Sequence, residues 1–141
     1  PHGFYTVPLG RAAVAREGRD ATVIAYGVSV SWALHAADVF HDSGYSVEVV
    51  DLRTLLPWDV ETVIASVRKT HRALVVHEAP LTGGFGGEVA ATIAQEAFEW
   101  LDAPVTRVAA IDTPIPAAKE LERVFEPKDR LEPALRRLLE Y

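Results

Sequence analysis

The segment His77–Glu88, "HEAPLTGGFGGE", places a histidine, two carboxylates and four glycines within twelve residues. Such residues suit a phosphate-cradling loop, a metal site or a catalytic loop. A dinucleotide fingerprint needs a third glycine three places beyond Gly86, where Val89 stands. A P-loop needs Gly-Lys followed by Ser or Thr, and no lysine is present in the segment. Glu78 and Glu88 at its two ends would also repel a phosphate near a helix N-terminus. A His-Glu-x-x-His zinc motif fails because Leu81 takes the second histidine's place, and His2, His35, His41 and His71 show no ligand spacing. The plainer reading is a structural turn. Gly83, Gly84, Gly86 and Gly87 let a helix start pack closely under the C-terminal edge of a sheet, with His77 and Glu78 leading in. If Gly84 or Gly86 takes positive φ, a β-branched replacement there is penalised.

A second cluster, "YGVSVSW", sets Ser29 between a strand-like and a helix-like segment, close to the Gly-x-Ser-x-Gly nucleophile elbow. That chemistry needs an acid and then a histidine downstream. His71 precedes a strand and His77 ends one, and neither has an obvious serine partner. Ser29 or Ser31 as a helix cap is the simpler reading.

The elements that must position these residues alternate along the chain. "ATVIAYG" (21–27), "YSVEVVDL" (45–52), "RALVVH" (72–77) and "APVTRVAAI" (103–111) read as buried strands. Between the first two, polar residues at Ser31, His35, Asp38 and Asp42 trace one solvent-facing helix stripe, which Gly44 can end. Asp59 is placed to cap a helix whose Val60, Val63, Ile64 and Val67 fill one face. A further helix is predicted from about Glu88 to Leu101. Two short helices close the chain, the last with Leu131, Leu135, Leu138 and Leu139 on one face. This order predicts a parallel sheet with helices on both sides. "RAAVAR" (11–16) could add an edge strand, antiparallel to the next one through the turn "EGRD".

Composition bounds the function classes. The chain has 141 residues and a formal net charge of -6, which argues against a nucleic-acid partner. No apolar run approaches a membrane span, and with no cysteine there is no thiolate chemistry. The absence of methionine, even at the first position, reads as a piece of a longer polypeptide.

Four phrases carry more: "VIAYGVSVSWAL", "EVVDLRTLLPWDVETV", "VVHEAPLTGGFGGEVAATIAQEAF" and "LDAPVTRVAAIDTPIP". Together they resemble the C-terminal domain of the β chain of 2-oxo acid dehydrogenases, from about Tyr5 to Tyr141. Within that family "DLRTLLPWD" and "HEAPLTGGFG" look like the branched-chain enzyme, with pyruvate or acetoin enzymes as alternatives. A stand-alone α/β binding module is the rival from another class. The resemblance implies a transketolase C-terminal-type fold: a three-layer α/β/α sandwich whose five-stranded mixed sheet has its first strand antiparallel. Residues 1–8 would then be a linker from a missing N-terminal pyrimidine-binding domain, and residues 9–141 the domain itself.

The resemblance further implies thiamin diphosphate and magnesium for the assembled enzyme. They would lie between the α chain and the β chain's N-terminal domain, leaving no catalytic, cofactor-binding or metal-binding residue here. Its implied partners are the α chain, a second β chain and the subunit-binding domain of the lipoyl acyltransferase. Asp102 and the terminal carboxylate of Tyr141 would receive basic groups of that last module. The location implied is cytoplasmic in bacteria and the mitochondrial matrix in eukaryotes.

Overall fold

The β-branched runs become strands and the period-3.6 segments become helices, in a computed structural model that describes residues 3–141. Pro1 and His2 lie outside the described residues. In chain order the elements are β1 (Ala13–Arg16), β2 (Ala21–Ala25), α1 (Ser29–Asp42), β3 (Val47–Asp51), α2 (Val60–Thr70), β4 (Ala73–Pro80), α3 (Gly86–Glu96), β5 (Thr106–Ala110), α4 (Lys119–Phe125) and α5 (Lys128–Leu139). The five strands form one sheet in the order β1-β3-β2-β4-β5. β1 is antiparallel to its neighbour and the other pairs are parallel.

Alternation along the strands divides the core into two layers, because successive side chains leave opposite faces of a sheet. Val23, Val49, Leu74 and Val76 meet Trp32, Ala36 and Phe40 of α1 and Leu131, Leu135 and Leu138 of α5. Ile24, Val50 and Val75 meet Val63, Ile64 and Val67 of α2 and Val89 and Ile93 of α3. The chain is therefore a three-layer α/β/α sandwich.

The edge strand differs from expectation in its neighbour: β1 pairs with β3 rather than with β2. The turn after β1 explains this. Arg19 and Asp20 amides both donate to Ser46 O at 2.9 Å, so the chain crosses the start of β3 before entering β2. Gly18 lies so close to the Val47–Glu48 backbone there that a Cβ would collide with it. Glu48, fully buried, accepts from the Gly18 amide at 3.2 Å and from Lys69 Nζ, and Lys69 also reaches Glu17 at 2.8 Å.

Helix ends follow the sequence in some places and depart from it in others. Asp59 caps α2 by accepting from Thr62 N at 3.1 Å, and also accepts from the Ala12 amide at 3.0 Å. Val60, expected on the buried face, stands exposed at the first turn. Gly44 takes φ +91 just past α1, and its amide donates to His41 O at 2.9 Å. Neither serine caps α1: Ser31 Oγ donates to Val28 O at 2.7 Å, and Ser29 Oγ is buried without a partner. The helix starts in tight turns, with Val30 N and Ser31 N donating to Gly27 O and Val28 O, so those donors are already used.

Candidate functional site

β4 runs further than expected, through Glu78, Ala79 and Pro80, and α3 begins at Gly86 rather than Glu88. His77 is consequently a strand residue with no exposed surface. Its ring stacks on Tyr26 at 5.6 Å with 9° between planes, and Phe85 meets the edge of Tyr26. The glycines of the turn close over the same imidazole. A Cβ at Gly84 would stand 2.6 Å from His77 Cε1, and one at Gly86 would overlap Nε2 and Cδ2. Positive φ belongs instead to Gly83, at +75, with open space around it. The glycine requirement is therefore room for the histidine at 86, and at 84 room for the Pro80 carbonyl (2.3 Å from where a Cβ would be) as well as the histidine; neither needs left-handed backbone.

Burial holds the His77 pKa below the ordinary 6.5; the Ala79 backbone opposes this and the Arg107 charge adds to it. Among the described residues neither ring nitrogen finds a hydrogen-bond partner of ordinary geometry. Burial, followed by the nearby Glu78 carboxylate, raises the Tyr26 pKa. The turn is filled by an imidazole, and two exposed acids, Glu78 and Glu88, flank it. These residues do not fit a diphosphate. Among the described residues no three His, Asp or Glu side chains gather as a metal ligand set.

A groove of about 800 Å³ lies on the other side of α3. Its floor includes Gly87, Ala90, Ala91 and Ala94, whose small side chains lower that helix face; Leu101 and Val105 add apolar wall. Asp102 and Tyr141, the two residues singled out from the sequence for partner contact, both line it. The final turn before Asp102 is not α-helix but a 3₁₀ turn, Phe98–Trp100, following the end of α3 at Glu96. The Asp102 amide donates to His71 O at 2.9 Å, and His71 Nδ1 lies 2.7 Å from Trp100 O. Asp102 is thus held by its backbone while its carboxylate stays more than half exposed, 3.6 Å from Arg72 Nη1.

Sequence reasoning missed Arg72 and Arg107. Arg107 borders both regions: Nη1 donates to Leu81 O at 3.1 Å and sits 3.3 Å from where a Gly87 Cβ would be. Nothing in "VTRVAA" announces a strand arginine folded back under a loop. The small stripe on α3 was visible as alanines one and four residues apart.

With this geometry in place, residues 10–130 match the family described as "Transketolase, C-terminal domain". The chain belongs to that family. Over the full length of this chain it is 44% identical to 2-oxoisovalerate dehydrogenase subunit beta 2, mitochondrial, of Arabidopsis thaliana, covering 39% of that protein. It is 47% identical to the pyruvate dehydrogenase E1 component subunit beta of Staphylococcus epidermidis, over 95% of this chain and 42% of that one. Among solved structures, a split-gene transketolase (an inactive β4 tetramer) superposes with TM-score 0.81 at 29% identity, over 96% of this chain and 43% of that one. The chain thus spans about two fifths of the length of these curated relatives. Its relatives are β subunits of 2-oxo acid dehydrogenases, and both branched-chain and pyruvate enzymes are among them.

Proposed function

We propose that this chain is the C-terminal, assembly and partner-binding domain of the β chain of a branched-chain 2-oxo acid dehydrogenase. The observation that carries the reading is the 44% identity to a 2-oxoisovalerate dehydrogenase β subunit across the entire chain. "DLRTLLPWD" and "HEAPLTGGFG", the phrases that look most like the branched-chain enzyme, support the finer choice. In this reading the whole enzyme decarboxylates a branched 2-oxo acid and passes the acyl group to a lipoyl group. Thiamin diphosphate and magnesium supply the carbanion chemistry elsewhere in the assembly. This domain supplies surface for the α chain, a second β chain and the acyltransferase. The compartment is the mitochondrial matrix in a eukaryote and the cytoplasm in a bacterium.

Within that reading, the subunit-binding domain of the lipoyl acyltransferase docks in the groove between α3 and Tyr141. Its basic groups face Asp102, with Tyr141 beside it in the groove. Support comes from the juxtaposition of the exposed Asp102 carboxylate and Tyr141 along one partly apolar groove. Asp102→Ala in the assembled β chain would weaken that docking by roughly 1–3 kcal/mol and flatten its salt dependence. Unchanged affinity and unchanged salt slope would assign the site elsewhere.

A second reading, a pyruvate dehydrogenase β chain, is favoured by the 47% identity to the Staphylococcus epidermidis protein. Assembling the full β chain with its α chain and comparing turnover of 2-oxoisovalerate with that of pyruvate separates the two. A higher kcat/KM for pyruvate sinks the branched-chain reading.

A further inference from the structure

Asp102 has a cation behind it that does not line the groove. His71 ends α2 in the left-handed region, φ +61, which turns the chain sharply and brings Arg72 beneath the 3₁₀ turn. Two backbone bonds then fix the pair: Arg72 O accepts from Thr22 N at 2.8 Å, and His71 O accepts from Asp102 N at 2.9 Å. From these anchors Arg72 Nη1 reaches to 3.6 Å from Asp102 Oδ2. The arginine is the more buried partner, with 26% of its side chain exposed against 56% for the aspartate. Its Nε is buried and has no hydrogen-bond partner among the described residues. Two other guanidinium groups are engaged differently: Arg68 lies over the Trp100 ring at 5.8 Å and reaches Glu96 O at 3.4 Å, and Arg107, which lines the groove, donates to Leu81 O at 3.1 Å.

We propose that Arg72, which stands behind Asp102 rather than in the groove's lining, determines specificity there: a resident cation that competes with an incoming basic partner for the Asp102 carboxylate. This rests on the docking reading given above. A guanidinium with an unsatisfied buried donor loses its nearest anion whenever Asp102 turns outward to another cation. The same charge stands behind Asp102 and reduces the negative potential that an approaching lysine or arginine meets. Weakly basic surfaces are therefore rejected, and a partner must bring enough positive charge, or bidentate geometry, to displace Arg72. Asp102 itself needs no arginine to hold its place, because the His71 and Asp102 backbones already tie the turn.

The test uses the full β chain assembled with its α chain, titrated with the acyltransferase component at low and high salt. Arg72→Gln is expected to tighten binding about two- to fivefold at low ionic strength, a gain that shrinks as salt screens the charges. Arg72→Lys keeps the charge and is expected to bind as the unaltered protein does. Arg72→Met, which keeps the packing of the stem, serves if the glutamine variant assembles poorly, and is expected to show the same gain. Unchanged or weaker binding by the neutral variants would overturn the proposal, as would a lysine variant that tightens like them. Asp102→Asn separates this from failure of the docking reading. If that variant weakens binding while neutral Arg72 variants give no gain, competition alone is wrong. If it has no effect, the docking reading falls and takes the competition with it.

Discussion

Gly86 faces the ring of His77 so closely that a methyl group at position 86 would overlap Nε2 and Cδ2. The ring cannot easily retreat, because Tyr26 stacks on it and Gly84 adjoins its Cε1. Gly86→Ala is expected to destabilise the domain by about 1–3 kcal/mol through overpacking, read from the midpoint of urea unfolding. Gly83→Ala meets open space and only the cost of its left-handed backbone, about 1 kcal/mol. A Gly86 variant no less stable than the Gly83 variant would show that the ring moves aside freely.

The buried imidazole gives stability a pH dependence of definite sign. Its folded pKa is lowered from 6.5, so the unfolded chain binds the extra proton in the interval below that value. Stability from this group is complete above 6.5 and declines as pH falls toward the lower folded value. His77→Gln, which has no charge to gain, is expected to flatten the unfolding free energy as pH falls below 6.5. An identical slope in both proteins would assign the acid sensitivity to other groups.

Lys69 joins two carboxylates of very different burial, and removing each contact has a different expected cost. Glu48 has no exposed side-chain surface, whereas Glu17 is 80% exposed. Lys69→Met would leave the Glu48 charge buried among apolar neighbours. Full loss of a buried pair costs about 3–5 kcal/mol; the partly exposed lysine brings the expectation to roughly 2–3 kcal/mol. Glu17→Gln, at an exposed and screened pair, is expected to leave stability nearly unchanged. Thermal melts of the two variants that coincide would refute this ranking.

Asp59 ties the segment before β1 to the start of α2, through the Ala12 and Thr62 amides. Burial would raise its pKa, but the Thr62 hydrogen bonds, then the Ala12 amide and the Arg11 charge, hold it below 3.8. Its contribution is therefore present above that value and lost as pH falls through the lower folded one. Asp59→Ala is expected to cost about 2 kcal/mol at neutral pH, combining a lost cap with an unsatisfied amide. A loss below about 0.5 kcal/mol in denaturant titration would mean that water replaces both bonds.

Local chemistry explains what was legible in the sequence. Asp59 capped the helix it precedes, Gly44 ended α1, and the polar stripe from Ser31 to Asp42 stayed in solvent, because each depends on near neighbours. The four strands of the parallel part were visible in their β-branched runs. What escaped depended on contacts distant in sequence. His77 read as the end of a strand leading into the turn, and its enclosure escaped because it comes from Gly84, Gly86 and Tyr26 closing on it together. The pairing of β1 with β3 depended on the Gly18 crossing, and "EGRD" reads equally well as a hairpin turn. Asp102 and Tyr141 were selected by resemblance; no spacing rule would have brought them to one groove, and Arg72 carried no local signal at all.

The pairing of β1 with β3 rather than β2 has a consequence for how the chain is made. Of the five strands β1 leaves the ribosome before the rest, yet its partner strand follows only after β2 and α1 have been synthesised. At roughly 5–20 residues per second, a few seconds separate the strand from its pairing surface. In that interval Val14 and the neighbouring backbone amides are open to any other extended chain. β1 is only four residues long and ends in Arg16, features that make a poor template for β-aggregation. The brevity of this edge strand thus protects the unfinished polypeptide as well as the finished sheet.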